Sequence, residues 1–368
     1  MHYLFVHAGH EWSGTARAFT AAAAGLAIRG HTVTMAVEPE STVERVVSQE
    51  AVVPGSAHLF HVVQLSLTGP RLAAAWQLRT LVRQVRADVV FVHTNREHAA
   101  AATAFRLGSR AGIVRRIPAG YTADIGWRGR MATRLAPTVF LFANEPDRLA
   151  AHIPRRVVAG LVAPLGVKTA ERTPPTPNSS EEFTGIYIVC VHDASSRSRA
   201  AAAIRTIAML APRHPDLQLI ITGEGGYDDD LRMQAAALGV LHLITFLGDR
   251  ADELQVMRGA RLGWVVADAD TAAYGILDFM ALGIPVLAGA GTVAERYVLP
   301  NITGLLLPPD DAYLSAAHVA ALLTNEQQRV TIGHAARARV LREFPESAMI
   351  DGFEHAAAAL HQERACAS

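Results

Sequence analysis

Short apolar runs recur along the chain, separated by stretches in which apolar residues return every three or four positions. In the first half the runs are YLFVH at 3–7, VTMAV at 33–37, HLFHV at 58–62, DVVFVH at 88–93 and TVFLFA at 138–143. Before the fourth run, Leu78, Leu81, Val82 and Val85 fall on one helical face, and the pattern then switches to a β-branched strand. That alternation predicts βαβ units with crossover helices. The second half repeats it with IYIVCV at 186–191, LQLIIT at 217–222, LITFLG at 243–248, LGWVVA at 262–267, IPVLA at 284–288 and GLLL at 304–307. Runs apolar at successive positions suit strands covered on both faces, so the expected fold is α/β, with two parallel-sheet domains in series.

Residues 168–182, KTAERTPPTPNSSEE, concentrate Pro, Thr, Ser, Asn and charge without an apolar period and read as a linker. The expected organisation is an N-terminal domain over 1–167, a linker over 168–183, a C-terminal domain over 184–344 and a final helix over 345–368 that packs back on the first domain. Pro345 suits the start of that helix, where a missing N–H costs little.

Composition narrows the function classes. Half of the 368 residues are hydrophobic and 18% charged, too apolar for a disordered chain. Lys+Arg and Asp+Glu balance at 34 each, which argues against a non-specific nucleic-acid binder. The balance conceals a division: residues 1–180 hold 20 basic and 11 acidic side chains, and residues 181–368 hold 14 and 23. Two cysteines, Cys190 and Cys366, cannot form a disulfide framework or a cysteine metal cluster. No apolar run reaches the 18 or so residues of a spanning helix, and the opening MHYLFVHAGHEWSG has no basic n-region. A cytoplasmic protein is expected, with peripheral contact at the inner face of a membrane left open.

The segment DADTAAYGILDFMALGIP at 268–285 is the most informative locally. A strand ending at Ala267 leads to a helix expected from about Tyr274 to Leu282, with Asp270 just outside it and Asp278 in its early part. Ionised carboxylates only accept hydrogen bonds and therefore suit vicinal sugar hydroxyls, while first-turn amides suit phosphate. A helix-capping aspartate and a solvent-facing one is the plainer alternative. Gly14 opens a helix after the first strand, and Gly223, Glu224, Gly225 and Gly226 follow the LQLIIT strand; both are flexible strand-end turns. Arg197 and Arg199 begin a helix after IYIVCV, where the dipole disfavours cations unless an anion or Asp193 lies nearby. The histidines form no recognisable metal motif, although His93 and His98 in HTNREH follow a strand and point to the expected ligand-binding end. Neither a GxSxG elbow nor a GxxxxGK[ST] loop is present.

The ordered set ITGEGG, FLG, DADTAAYGILDFMALGIPVLA and GTVAERYVLPNITGLLLPPDD, with SGTAR, AIRGHTVTMAV, DVVFVHTN and VAPLGV before it, resembles the retaining glycosyltransferases of family 4 over nearly the whole chain. The resemblance implies the GT-B architecture, two Rossmann-like domains facing a central cleft, and a nucleoside-diphosphate sugar as co-substrate without a metal. It implies a donor site with Asp270 near the transferred sugar and Asp278 near the ribose, lined by Gly14, Gly223, Glu224, Gly225, Ala272, Ala273 and Tyr274, with Arg197 or Arg199 against the diphosphate. Acceptor-side candidates are His93, Arg116, Arg128 and Arg130. The sequence departs from the family in three places. Thr271, Ala272 and Ala273 stand where Gly-Phe-Gly is usual; Asp193 and Ser198 fall at the basic pair; and Pro118 or Ala119 replaces the acceptor-side histidine.

The leading expectation is therefore transfer of a sugar, with retention, to the hydroxyl of a small-molecule, glycan or lipid-linked acceptor, with closure of the two domains around the donor. The basic first half, including Arg115, Arg116, Arg128, Arg130 and Arg134, suggests an anionic acceptor or membrane surface. A catalytically weak partner or regulatory subunit, and a sugar-nucleotide epimerase, are the alternatives.

Overall fold

A computed structural model describes all residues except 53–58, 122–125, 169–182, 184, 225–227, 249–252, 309–310 and 368; the side chains of 126–128, 224 and 364–367 are likewise outside the described set. The linker segment lies almost wholly outside the described residues. The chain divides into two compact units, one of residues 1–165 with 346–368 and one of residues 166–345.

The first unit runs β1 (His2–His7), α1 (Gly14–Ile28), β2 (Thr32–Val37), α2 (Thr42–Glu50), β3 (His61–Gln64), α3 (Arg71–Val85) and β4 (Val89–Val92). It continues through α4 (Asn95–Arg106), β5 (Gly112–Ile117), α5 (Gly126–Leu135), β6 (Thr138–Phe142), α6 (Glu145–Ala150) and β7 (Ala159–Val162). Its seven strands are parallel in the order β3-β2-β1-β4-β5-β6-β7. The order reverses at β1, between β1 and β4, which is where open α/β sheets leave a crevice beyond their strand C-termini. Three strands departed from expectation. β3 begins at His61, later than the run at 58–62; β5 was not anticipated because Arg115 and Arg116 interrupt its apolar pattern although all six of its residues are buried; and the short β7 was not anticipated either.

The second unit runs β8 (Ile186–Asp193), α7 (Arg197–Leu210), β9 (Leu217–Glu224), α8 (Asp228–Ala237), β10 (Ile244–Gly248), α9 (Glu253–Arg258) and β11 (Leu262–Val265). It ends with α10 (Ala269–Leu282), β12 (Val286–Gly289), β13 (Gly304–Leu307), α11 (Ala312–Thr324) and α12 (Glu326–Glu343). Its six parallel strands take the order β10-β9-β8-β11-β12-β13 and reverse between β8 and β11. One face of this sheet is covered by α7, α8 and α11 through Ile204, Ile207, Leu231, Val319 and Leu322.

The last helix, α13 (Glu346–Ala367), belongs to the first unit. It packs on α1 and on β5, β6 and β7. Phe353, fully buried, sits 5.5 Å from the ring of Phe91, 6.0 Å from Phe5 and 6.2 Å from Phe19, while Phe5 and Phe91 stack at 4.4 Å. The approach to α1 is close enough that a Cβ on Gly25 would lie 2.2 Å from Ile350 Cδ1. At the exposed end, Arg29 bonds both Asp351 and Glu354 at 2.6 Å.

Candidate functional sites at the two sheet reversals

In the second unit, the residues beyond β8 and β11 form one polar network. Asp193, the last residue of β8, accepts on Oδ1 from Ser195 N at 2.9 Å and Oγ at 2.7 Å, and on Oδ2 from Asp268 N at 2.6 Å. Ser195 Oγ also stands 2.8 Å from Asp268 Oδ2, so one hydroxyl proton serves two carboxylates. Arg199 donates from Nη2 to Asp268 Oδ2 at 2.6 Å and from Nε to the carbonyl of Val266 at 2.7 Å. Its Nη1 has no protein partner among the described residues. Arg197, two positions earlier, is largely exposed and pairs with Asp230 at 2.5 Å, an interaction of small energy at a surface. The cations read from the sequence thus both have carboxylate partners, and that of Arg199 lies 69 residues away.

α10 starts earlier than expected. It runs from Ala269, so Asp270 lies in its first turn and Asp278 in its last third, both buried at 2% and 1% exposure. Eight residues of helix rise about 12 Å, so the two carboxylates mark positions well separated along the axis. Ala272, Ala273 and Tyr274 are buried in the same helix. Asp268 is the N-cap by position but makes no side-chain cap bond, and Ala269 takes a left-handed φ of 51°. A β-carbon in that region costs on the order of 1–2 kcal/mol. Ala269→Gly should therefore raise the urea midpoint, by up to about 1 kcal/mol of stability once glycine's unfolded-state entropy is counted. An unchanged or lower midpoint would refute strain at this position.

Gly223 has a local reason to be glycine: its φ is +110° and a Cβ would lie 2.1 Å from the His192 carbonyl oxygen. Glu224 closes β9, with its side chain outside the described residues, and Gly225 lies outside them altogether.

In the first unit, Gly14 is the first residue of α1, and the Ser13 hydroxyl caps that helix by accepting from Ala16 N at 3.2 Å. At the reversal between β1 and β4, a single carboxylate organises both strand ends. Glu97, fully buried, accepts on Oε1 from Ala8 N at 2.8 Å and on Oε2 from His93 N at 2.9 Å and Thr94 N at 3.0 Å. Its Oε2 also lies 2.9 Å from His93 Nδ1. Burial alone would raise this carboxyl, but the His93 imidazole, His7 and the amides hold it at about 2. His7, the last residue of β1, stacks on His93 with ring centroids 4.6 Å apart at 15°. Burial first, and His93 second, push His7 down to about 3.

Sequence reasoning missed Glu97 and His7. Thr94-Asn-Arg-Glu97 has the S/T-x-x-E form of a capping box, and the structure contains that box, so a signal for Glu97 was present. His98 does not accompany His93. It is fully buried toward Thr138 and Arg115, and burial followed by Arg115 depresses it to about 3.

The expected basic surface in the first unit is not continuous. Arg115 and Arg116 are interior residues of β5 that point to opposite sides of the sheet. Arg115 donates to Asn95 Oδ1 at 2.8 Å and approaches His98, and burial lowers it to about 10. Arg116 donates to Thr15 Oγ1 at 3.4 Å, at the start of α1. Arg130 and Arg134 are exposed, and the side chain of Arg128 is outside the described residues. Among the described residues, no group of three or more His, Cys, Asp or Glu is placed to hold a metal, and no helix is long and apolar enough to cross a membrane.

The family model "Glycosyl transferases group 1" matches residues 177–339. The chain is 27% identical over 257 residues, 63% of its length and 66% of the relative's, to a GDP-mannose-dependent alpha-(1-6)-phosphatidylinositol monomannoside mannosyltransferase of Mycolicibacterium smegmatis. A phosphatidyl-myo-inositol mannosyltransferase of the same organism is 33% identical over 146 residues, 39% of this chain and 36% of that one. The chain spans about one third to two thirds of the curated relatives it matches. Among solved structures, Anabaena Alr3699/HepE in complex with UDP and glucose superposes with a TM-score of 0.78 at 17% identity, covering 96% of this chain and 98% of that one. The lipopolysaccharide-biosynthesis glycosyltransferase WaaG gives 0.68 at 17% identity, over 96% and 98%. The fold is that of two Rossmann-like parallel-sheet domains, the GT-B architecture, and the sequence is related to nucleotide-sugar-dependent mannosyltransferases.

Proposed function

We propose that this chain transfers a hexosyl group from a nucleoside-diphosphate sugar to a hydroxyl acceptor, with retention at the anomeric carbon, as a member of family 4. The observation that carries the reading is the pair Asp270 and Asp278, both buried on one helix at the sheet reversal and about 12 Å apart along it. Such a pair suits a ligand with hydroxyl-bearing rings at both ends of a diphosphate: Asp270 orients the sugar and Asp278 holds the ribose. Arg199 supplies Nη1 to the leaving diphosphate, and Arg197 is a second cation at the same helix start. Gly14, Gly223, Glu224, Gly225, Ala272, Ala273 and Tyr274 complete the proposed donor surroundings. His93, Arg116, Arg128 and Arg130 are proposed on the acceptor side, for a small-molecule, glycan or lipid-linked acceptor, in a cytoplasmic or membrane-peripheral protein. The relatives make GDP-mannose the first donor to test and UDP-glucose the second.

Asp278→Asn should weaken GDP or UDP binding by about 1.5–3 kcal/mol, roughly 10- to 150-fold, through loss of a charge-assisted hydrogen bond. Asp270→Asn should leave nucleotide affinity near wild type and lower turnover of the intact donor. Titration calorimetry and donor-consumption assays read the two effects; unchanged affinity in the first variant together with unchanged turnover in the second overturns the assignment.

A second reading is favoured by the Asp193–Ser195–Asp268–Arg199 network, which places two carboxylates beside the proposed diphosphate position. Under it, the chain is a weakly active or regulatory relative. The absence of binding by every nucleoside diphosphate in a panel would select this reading, and donor converted to a new sugar epimer without acceptor would select an epimerase.

A further inference from the structure

Resting on the transfer reading, we infer that His93 Nε2 receives a hydroxyl of the acceptor, with Glu97 as the residue that positions the ring and His7 as a second hydrogen-bonding partner for the same ligand.

The proposal begins with a proton count. Glu97 is ionised and its Oε2 stands 2.9 Å from His93 Nδ1, an ion-pair distance without the alignment of a hydrogen bond; a lone pair on Nδ1 would be repelled by that carboxylate and an N–H attracted, which assigns the proton to Nδ1. In the neutral ring the lone pair then lies on Nε2. The Nδ1 atom is sealed from solvent, whereas the His93 side chain as a whole keeps 14% exposure on its other atoms. Nε2 has no partner among the described residues. His7 has the opposite polarity. Its Nδ1 accepts from Gly9 N at 3.3 Å, so its proton is on Nε2, and this buried N–H has no hydrogen-bond partner among the described residues.

An open acceptor therefore lies in one stacked imidazole and an unused donor in the other. A hydroxyl both gives and takes a hydrogen bond, and a polyol offers several on adjacent carbons. A phosphodiester has acceptor oxygens only and cannot give one to Nε2, and a metal ion would be repelled by the His7 N–H. The place agrees with this chemistry, since both rings sit where β1 and β4 part at the reversal of sheet order. The groups facing the His93 ring are His7 from β1, Glu97 from α4 and the uncharged edge of Phe19 from α1. Glu97 acts through His93 and through the backbone amides of Ala8, His93 and Thr94, which makes it a positioning residue.

The test uses the full chain labelled with ¹⁵N-histidine, with methyl α-D-mannopyranoside as the polyol probe and dimethyl phosphate, which has no O–H, as the phosphate control. Long-range ¹H–¹⁵N spectra should show His93 protonated at Nδ1 and His7 at Nε2. The mannoside should shift both Nε2 resonances and phosphate neither. His93→Gln should reduce saturation transfer to the mannoside at least fivefold while GDP binding by calorimetry stays within twofold. In Glu97→Gln, which retains a backbone-accepting oxygen, the His93 proton should leave Nδ1 as the dominant site. A wild-type His93 protonated at Nε2, equal mannoside signals in His93→Gln, or equal shifts with phosphate would each overturn the proposal. If no nucleoside diphosphate binds, the transfer reading fails, while the wild-type ring spectra and the mannoside titration still decide the role of His93.

Discussion

Lowering the pH from 7 toward 4 should remove stability from the first unit at roughly 3 kcal/mol per pH unit once the pH is below about 6, because two buried imidazoles must charge as the chain unfolds. His7 and His98 are each held at about 3, by burial first, with His93 and Arg115 respectively adding repulsion. Between their ordinary value of 6.5 and 3, the unfolded chain binds both protons and the folded chain neither. Stability therefore rises with pH across that window and is lost as the pH falls. Glu97 acts in the same direction lower down. Its folded value of about 2 against an ordinary 4.5 means that its contribution is complete above 4.5 and disappears between 4.5 and 2. A native domain has only about 5–15 kcal/mol in hand, so a loss on the order of 7 kcal/mol by pH 4 should lower the urea midpoint steeply. Urea midpoints measured at pH 7.5, 6, 5 and 4 with a probe in the first unit test this. A flat profile between pH 7 and 5 would show that neither His7 nor His98 is held neutral in the native state, and half the slope that only one of them is.

The second large effect is expected from Phe353→Ala, at about 3–5 kcal/mol. Phe353 is fully buried at the meeting of α13 with Phe5, Phe19 and Phe91, so its removal takes away both the area and three ring contacts. The remaining ties of α13 to α1 near this point include the Arg29 pairs with Asp351 and Glu354, which are surface interactions of small worth. Calorimetric melting and limited proteolysis near α13 should report the loss together. A change below about 1 kcal/mol would mean that the aromatic cluster closes over the gap.

The second sheet was legible because each of its six strands is dominated by apolar residues, with at most isolated polar ones such as Gln218 and Thr245 within the run. The first was less so. β5 carries Arg115 and Arg116, whose charges mimic a surface segment, and their burial depends on Asn95, His98 and Thr15, distant in sequence. β7 is four residues long and only partly buried, too short for a period to register. The eight-residue spacing of Asp270 and Asp278 is plain in the sequence, whereas their places in the first turn and last third of α10 were not, because Ala269 enters the helix through a left-handed φ that alanine does not announce. The commitment of Arg199 to Asp268 and the link from Glu97 to Ala8 are contacts across strand ends. Their sequence separations of 69 and 89 residues exceed anything local spacing can reveal.

The placement of α13 in the first unit sets an order for synthesis. Residues 1–165 leave the ribosome without the helix that covers Phe5, Phe19 and Phe91, and 180 residues of the other unit intervene before that helix emerges. At roughly 5–20 residues per second, the delay is on the order of 10–40 s. During it, the nascent first unit exposes an apolar face beside parallel strands, the kind of surface that chaperones hold, while the second unit has the whole of its sequence available first. The part of the chain made first is therefore the part expected to finish folding last.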